Sequence, residues 1–363
     1  RLPEEEILAA ESQRRRLHNA LQDLKGQLRV YCRVRPLHAS ERRKGGQDAI
    51  QILDSHTLEV KSTGAVFQFD GVFASGSQED IFEDCRDLAQ SAIDGHNVTI
   101  FCYGQTGAGK TYTMYGTPHQ EGIAQRMIRE VFSQVEDLPD QAVKITGSMI
   151  ELYNNHLIDL LRPLDRQGRQ TPPLAVNLGK AGGVEVEGLA EEAAEDAAKL
   201  KAIFRRGLHQ RSVAEHALNV ESSRSHVIFT VKLTRIGNEN SQEPISSKLH
   251  FCDLGGCERL KKTEAAGDLQ REAIEINKSL SALGDVIEAV AGKRKHVPYR
   301  NHKLTQLLQD ALGGTAKALM YVNCSPALSD IRETAIALKL ATRAKGVVNQ
   351  PAERRLAGLA SRE

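Results

Sequence analysis

Apolar residues near the start of the chain recur at spacings of four and three. Ala10, Leu17, Leu21, Leu24 and Leu28 fall on this rhythm, with Arg14 interrupting it. Such a seam predicts a helix over residues 7–28 that pairs with a second helix as a coiled-coil neck. The alternative is a single amphipathic helix lying on its own domain. From "LRVYCRVRP" onward the pattern changes. Apolar runs at Ile100–Tyr103, Val143–Tyr153, Val227–Leu233, Leu249–Leu254 and Ala318–Asn323 predict buried strands. Between them the helical period returns at Gly122–Val135, Ala194–Leu208, Ala273–Ala291, His302–Leu312 and Arg332–Lys345. Strands alternating with helices predict an α/β sandwich around a central sheet. No repeat or low-complexity linker divides it, so residues 29–348 are expected to form one domain. A polar, alanine-rich tail is expected over residues 349–363.

Composition adds little to that picture. At 363 residues, 40% hydrophobic and 26% charged, the chain has enough apolar material for a full core. No run of eighteen apolar residues predicts a membrane span. The first residues lack an initiator methionine and an apolar leader, so the chain is expected to be a piece of a longer one. Six cysteines (Cys32, Cys85, Cys102, Cys252, Cys257 and Cys324) include no Cys-x-x-Cys pair. Buried free thiols are the expectation, rather than zinc ligands or disulfides.

The chemistry concentrates in three segments. Gly104-Gln105-Thr106-Gly107-Ala108-Gly109-Lys110-Thr111 fits the G-x-x-x-x-G-K-[ST] phosphate loop and directly follows a predicted strand. Its glycines let backbone N–H groups converge on phosphate oxygens. Lys110 would reach the β- and γ-phosphates, and the Thr111 hydroxyl would ligate Mg²⁺. The one Asn-Lys pair, Asn277-Lys278-Ser279-Leu280, has no acid in the fourth place to read guanine, which favours ATP over GTP. Asp253-Leu254-Gly255-Gly256 has the form of a γ-phosphate sensor. Asp253 would hold the metal through water, and the Gly256 N–H would donate to the γ-phosphate. Asn219-Val220-Glu221-Ser222-Ser223-Arg224-Ser225-His226 brings hydroxyls suited to metal and phosphate; the plainer reading is a solvated serine-rich loop.

These segments together resemble the kinesin motor domain over nearly all of residues 29–348. The phosphate loop continuing into Tyr112-Thr113-Met114, the Asn219–His226 segment and Asp253–Glu258 match its phosphate loop and two switches. Ile276–Gly284 and Val297–Thr305 are similar to its microtubule-facing helix and the loop that follows. Arg33-Val34-Arg35-Pro36 is similar to its adenine-side strand end. The resemblance implies a P-loop NTPase-type central mixed β-sheet flanked by helices on both faces, preceded by the coiled-coil neck. It implies ATP and Mg²⁺ as cofactors. Arg33, Pro36 and Tyr112 would flank the adenine, with Arg35 at the same strand end. Ser223 would join Thr111 around Mg²⁺, with Ser222 and Asn219 near the γ-phosphate. Arg224 and Glu258 would form the bridge that closes the switches and orders the attacking water.

Charge then becomes informative. Arg259–Lys303 holds ten Lys/Arg against six acids, whereas Glu185–Asp196 holds six acids and no base. The net charge of +1 thus hides a polar distribution that could orient an acidic partner. By resemblance that partner is the microtubule, met by Lys262, Lys278, His296, Arg300 and Lys303. Nucleic acid is not expected, because Tyr299 is the only aromatic in the basic segment available to stack on bases. A helix that precedes the motor resembles the C-terminal-motor kinesins, which move toward microtubule minus ends. The expected function is a minus-end-directed, microtubule-stimulated ATPase, dimeric through its neck and located on cytoplasmic microtubules, the spindle among them. The rivals are a microtubule cross-linker or heterodimer partner with weak ATPase, and a GTPase-type switch. Gly255 and Cys257 stand where most kinesins have alanine and serine. Added freedom at the glycine would make the loop close less readily, so restoring both residues would raise turnover.

Overall fold

The computed structural model describes residues 4–26, 28–74, 76–136, 138, 143–163, 173–179, 183–218, 222–235, 245–258 and 268–349. Nine strands make the large sheet: β1 (Leu28–Val34), β2 (Gly71–Ala74), β3 (Val98–Tyr103), β4 (Val143–Tyr153), β5 (His156–Asp159), β6 (Glu192–Ala194), β7 (Ser225–Arg235), β8 (Ile245–Asp253) and β9 (Lys317–Cys324). Their spatial order is β5-β4-β7-β8-β3-β9-β1-β2, with β6 added to β4. The half from β8 to β2 is parallel, and the pairs β5–β4, β4–β7, β7–β8 and β6–β4 are antiparallel. The sheet is therefore mixed, as expected.

Alternation along the strands supplies two cores. On β3, Ile100 and Cys102 face one side and Phe101 and Tyr103 the other. The first side is covered by α2 (Asp87–Ile93), α4 (Ile123–Glu136) and α5 (Ala197–Leu218). The second is covered by α6 (Asp268–Ala291), α7 (Lys303–Leu307) and α8 (Ile331–Ala344). The short helix α3 (Lys110–Met114) follows the phosphate loop. All six cysteines are buried and free. Among the described residues no helix is long and apolar enough to cross a membrane.

Several predicted helices have shifted ends: α5 runs on from Leu208 to Leu218, and α6 starts at Asp268 rather than Ala273. Residues 192–194 are spent on β6, and α5 starts at Ala197, where Asp196 Oδ1 accepts the Lys199 N–H at 2.6 Å as a cap. The helix predicted to run to Leu312 stops at Leu307. After it the chain tightens into i→i+3 turns, Gln309 N–H to Gln306 O at 3.2 Å and Ala311 N–H to Leu308 O at 3.0 Å, and the Leu312 and Ala311 carbonyls are taken by Tyr299 Oη and Asn349 Nδ2.

The N-terminal helix α1 (Glu4–Leu24) ends earlier than predicted, and Leu28 belongs to β1 in the sheet. A turn with Gly26 at φ 98° separates the two. One side of α1 lies on the domain: Arg14 pairs with Asp94 (2.7 Å), Lys25 with Asp87 (2.8 Å), and His18 Nε2 meets Ser91 Oγ (3.0 Å). The seam residues Leu17, Leu21 and Leu24 are left 64%, 50% and 86% exposed. A polar face of the helix thus docks on its own domain, while the leucine row stays open to solvent.

Candidate active site

The parallel strands β1, β3, β8 and β9 all end at one edge of the sheet, where ligands bind in folds of this kind. β3 delivers the phosphate loop there. Gly104 is fixed by a close approach: a Cβ on it would lie 2.2 Å from the Asn323 carbonyl oxygen. Gly107 and Gly109 hold φ of 75° and 101°, and the space where their side chains would project is open. Lys110 is buried, and its Nζ donates to the Gly104 and Gln105 carbonyls at 3.0 Å each, which sets the ammonium over the loop.

From the end of β8, Asp253 meets this loop. Its Oδ2 accepts the Thr111 hydroxyl at 2.6 Å, and its Oδ1 is buried with no hydrogen-bond partner. Burial pushes the Asp253 carboxyl above its ordinary range, while Lys110 and the Thr111 bond pull the other way. A hydroxyl, a carboxylate with an orphaned oxygen and an open glycine cradle fit a phosphate-bound Mg²⁺ and its water shell.

The adenine-side residues separate into two layers. Arg33 is buried; it donates to Gln78 Oε1 and Thr113 Oγ1 at 2.9 Å each and lies 5.0 Å from the centre of the Tyr112 ring. It therefore holds the Tyr112 ring in place through its guanidinium. Arg35 pairs with Glu41 (2.7 Å) and donates from Nε to the Gly107 carbonyl (2.8 Å), tying the end of β1 to the phosphate loop, with Pro36 exposed beside it.

The switch segments are joined through their backbones. The Gly256 N–H donates to Ser223 O at 2.8 Å, the Cys257 N–H to Gly104 O at 3.3 Å, and the Gly255 N–H to His226 Nδ1 at 3.0 Å. His226 is buried and its pKa is pushed down to about 3 by burial, so the ring is neutral. With Nδ1 accepting, Nε2 carries the proton and donates to Ser279 Oγ at 2.7 Å, which in turn donates to Ile276 O at 2.6 Å. This relay from the second switch to α6 was missed in the sequence, where His226 had no assigned role.

The Arg224–Glu258 bridge expected from the resemblance is not the arrangement found. Arg224 Nη1 donates to Glu272 Oε2 at 3.1 Å. Glu258 instead accepts the Thr106 N–H at 3.0 Å and the Thr106 hydroxyl at 2.6 Å. Likewise, the Gly256 N–H assigned to the γ-phosphate is engaged by Ser223 O. Asn219, Lys262 and the side chain of Ser222 lie outside the described residues.

Gly255 has a steric role that the sequence concealed. A Cβ there would lie 2.5 Å from Ile276 Cδ1 and 3.0 Å from Ser223 O. An alanine must displace Ile276 and press on the first switch, so the expectation that it would speed turnover is replaced. Gly255→Ala is expected to cost about 1–2 kcal/mol of stability and to lower turnover. Adding Ile276→Val should recover part of both, measured by chemical denaturation and phosphate release. Cys257 is buried against the core, its thiol pushed up to about 11 by burial, so it packs as an un-ionised group.

Of the residues assigned to the microtubule, Lys278 is exposed and pairs with Glu275 (3.2 Å), whose other oxygen lies 3.6 Å from His302 Nε2. Lys278 and Lys303 both act electrostatically on His302. The structure therefore brings α6 and the 297–303 segment to one surface, with Arg300 and His296 exposed. The acidic stretch is partly neutralised where it stands, Glu191 by Lys232 (3.1 Å) and Glu192 by Arg206.

Fold and site together define a P-loop nucleotide-binding protein whose second switch segment meets both the phosphate loop and the first switch. A family model described as the kinesin motor domain matches residues 33–347, and the chain belongs to that family. It is 42% identical over 359 residues to kinesin-like protein KIN-14E of Arabidopsis thaliana, covering 97% of this chain and 28% of that protein. It is 41% identical over 343 residues to KIN-14I of Oryza sativa subsp. japonica, covering 93% of this chain and 27% of that one. The chain thus spans little more than a quarter of these relatives. Among solved structures, a fast kinesin described for its ATPase mechanism and microtubule interactions aligns with TM-score 0.83 and 37% identity, over 92% of this chain and 96% of its own. A KIF14 dimer bound to a microtubule with AMP-PNP aligns with TM-score 0.83 and 32% identity, over 92% and 97%.

Proposed function

We propose that this chain is the motor of an ATP-driven, microtubule-stimulated, minus-end-directed kinesin. The observation that carries the reading is the Thr111–Asp253 pair beside the glycine cradle, joined to both switches by the Gly256 and Cys257 N–H groups. Thr111 and Ser223 hydroxyls would hold Mg²⁺, with Asp253 acting through water. The ion would supply charge neutralisation for phosphoryl transfer. Lys110 and the loop N–H groups would bind phosphate, and Tyr112, braced by Arg33, would border the base with Pro36. Asn219 and Ser222 would meet the γ-phosphate. On closure Arg224 would leave Glu272 and pair with Glu258 to order the water.

The surface carrying exposed Lys278, His296 and Arg300 and half-buried Lys303 is the proposed microtubule contact, with Lys262 as a further proposed contact residue. That contact would put the protein on cytoskeletal tracks, with the spindle as the finer proposed location. Leu17, Leu21 and Leu24 are the proposed dimer seam, and the likeness to KIN-14 proteins together with a helix before the motor supports the minus-end direction. Gliding of polarity-marked microtubules on the dimeric protein tests that direction. Plus ends leading is the expected result, and minus ends leading would overturn it. A passive cross-linker would bind microtubules without gliding them.

A further inference from the structure

Glu272 lies in the second turn of α6, with no phosphate-binding motif around it, yet it holds the arginine of the first switch. The Arg224 and Glu272 side chains are each 11% exposed, so water screens their charges little. The other carboxylate oxygen of Glu272 accepts the Tyr153 hydroxyl at 2.5 Å, which fixes the rotamer from the far end of β4. Meanwhile both oxygens of Glu258 are occupied by Thr106. The two switches already touch through Gly256 N–H and Ser223 O. What keeps Arg224 and Glu258 apart is that each charge has another partner.

We propose that Glu272 is a positioning residue, the resting counter-ion that holds Arg224 away from Glu258 and keeps ATP turnover low in the absence of the track. On its solvent side the same helix carries exposed Lys278, paired with half-buried Glu275. A partner that engages that side biases α6 and with it the Glu272 carboxylate, releasing Arg224 to Glu258. Two alternative acidic partners for one arginine make a bistable element, which is what coupling between two sites requires. Glu272 touches no nucleotide; it acts through Arg224 alone.

The inference rests on the proposed ATPase, and the test separates the two. Phosphate release is measured with and without microtubules for the unmodified protein, Glu272→Gln and Tyr153→Phe. The Gln variant removes the charge at constant shape. Its microtubule-free rate should rise about fivefold, while the microtubule-saturated rate stays within about twofold, so the stimulation ratio shrinks. Tyr153→Phe loosens the carboxylate without removing it and should shift the ratio the same way by less. It also stands in should Glu272→Gln fold poorly. A merely structural role would lower both rates together. Unchanged or lowered microtubule-free turnover in these variants, beside an active unmodified protein, overturns the inference. Absence of turnover in the unmodified protein overturns both readings.

Discussion

Glu258→Ala is expected to lower microtubule-stimulated ATP turnover by about a hundredfold or more, with nucleotide affinity changed by less than about threefold. The asymmetry follows from where Glu258 acts. The phosphate cradle is built from Gly104 to Thr111, and Lys110 and Asp253 hold their places without Glu258. Glu258 touches the loop only through the Thr106 N–H and hydroxyl. In the closed state it is the proposed partner of Arg224, and alanine leaves that arginine with Glu272 as its acidic partner. Phosphoryl transfer depends on positioning and charge more than on covalent chemistry, so loss of the pair falls on kcat. Single-turnover rates and fluorescent-nucleotide titrations separate the two effects. A kcat within about threefold of the unmodified protein would remove Glu258 from the mechanism.

The largest stability effect is expected at Arg211. Its Nε donates to Glu151 Oε1 at 3.2 Å and its Nη2 to Ser225 Oγ at 3.0 Å, while the Ser225 hydroxyl donates to the same Glu151 oxygen at 2.6 Å. The Arg211 and Glu151 side chains are each 7% exposed. Arg211→Ala strands a buried carboxylate with little beyond the Ser225 hydroxyl to solvate it, a loss of about 3–5 kcal/mol. Against a total of about 5–15 kcal/mol for folded domains, that is a large fraction. The triad pins α5 before the first switch and β7 directly after it, so turnover should fall as well. Urea denaturation measures the loss. Combining Arg211→Ala with Glu151→Ala should recover part of it, because the stranded charge is gone. Strict additivity of the two single losses would show that the pair is not coupled.

How far the sequence carried depends on the range of the interaction. β4 was legible to the residue, because an apolar-rich segment of this length, buried on both faces from Ile145 to Leu152, has few other meanings. α4 and α8 were placed within a residue at each end, since their apolar stripes coincide with their boundaries. The short strands Ile50–Ile52, Thr57–Val60 and Ala65–Gln68 were not seen; three or four residues give too little period to count. The C-terminal end of α7 was misplaced because the apolar stripe runs on through Leu308, Ala311 and Leu312, which are buried in tightened turns rather than in helix.

The site divides along the same line. The phosphate loop and Asp253 are local motifs and came together as expected. The partners of the charged switch residues did not follow from any motif. Glu272 looks like one more helical acid, and it acquires meaning only when Tyr153, 119 residues away, and Arg224, 48 residues away, converge on it. Gly255 is the clearest case. Its torsional freedom was visible in the sequence, whereas the close approach of Ile276 to it was not.

The central claim is that the phosphate site and the surface formed by α6 and residues 297–303 are one coupled machine. Steady-state phosphate release from ATP by the purified protein, titrated with taxol-stabilised microtubules, tests it most directly. The account predicts a saturable rise of about tenfold or more over the microtubule-free rate. A rate that microtubules leave unchanged, while the protein cosediments with them, would contradict it.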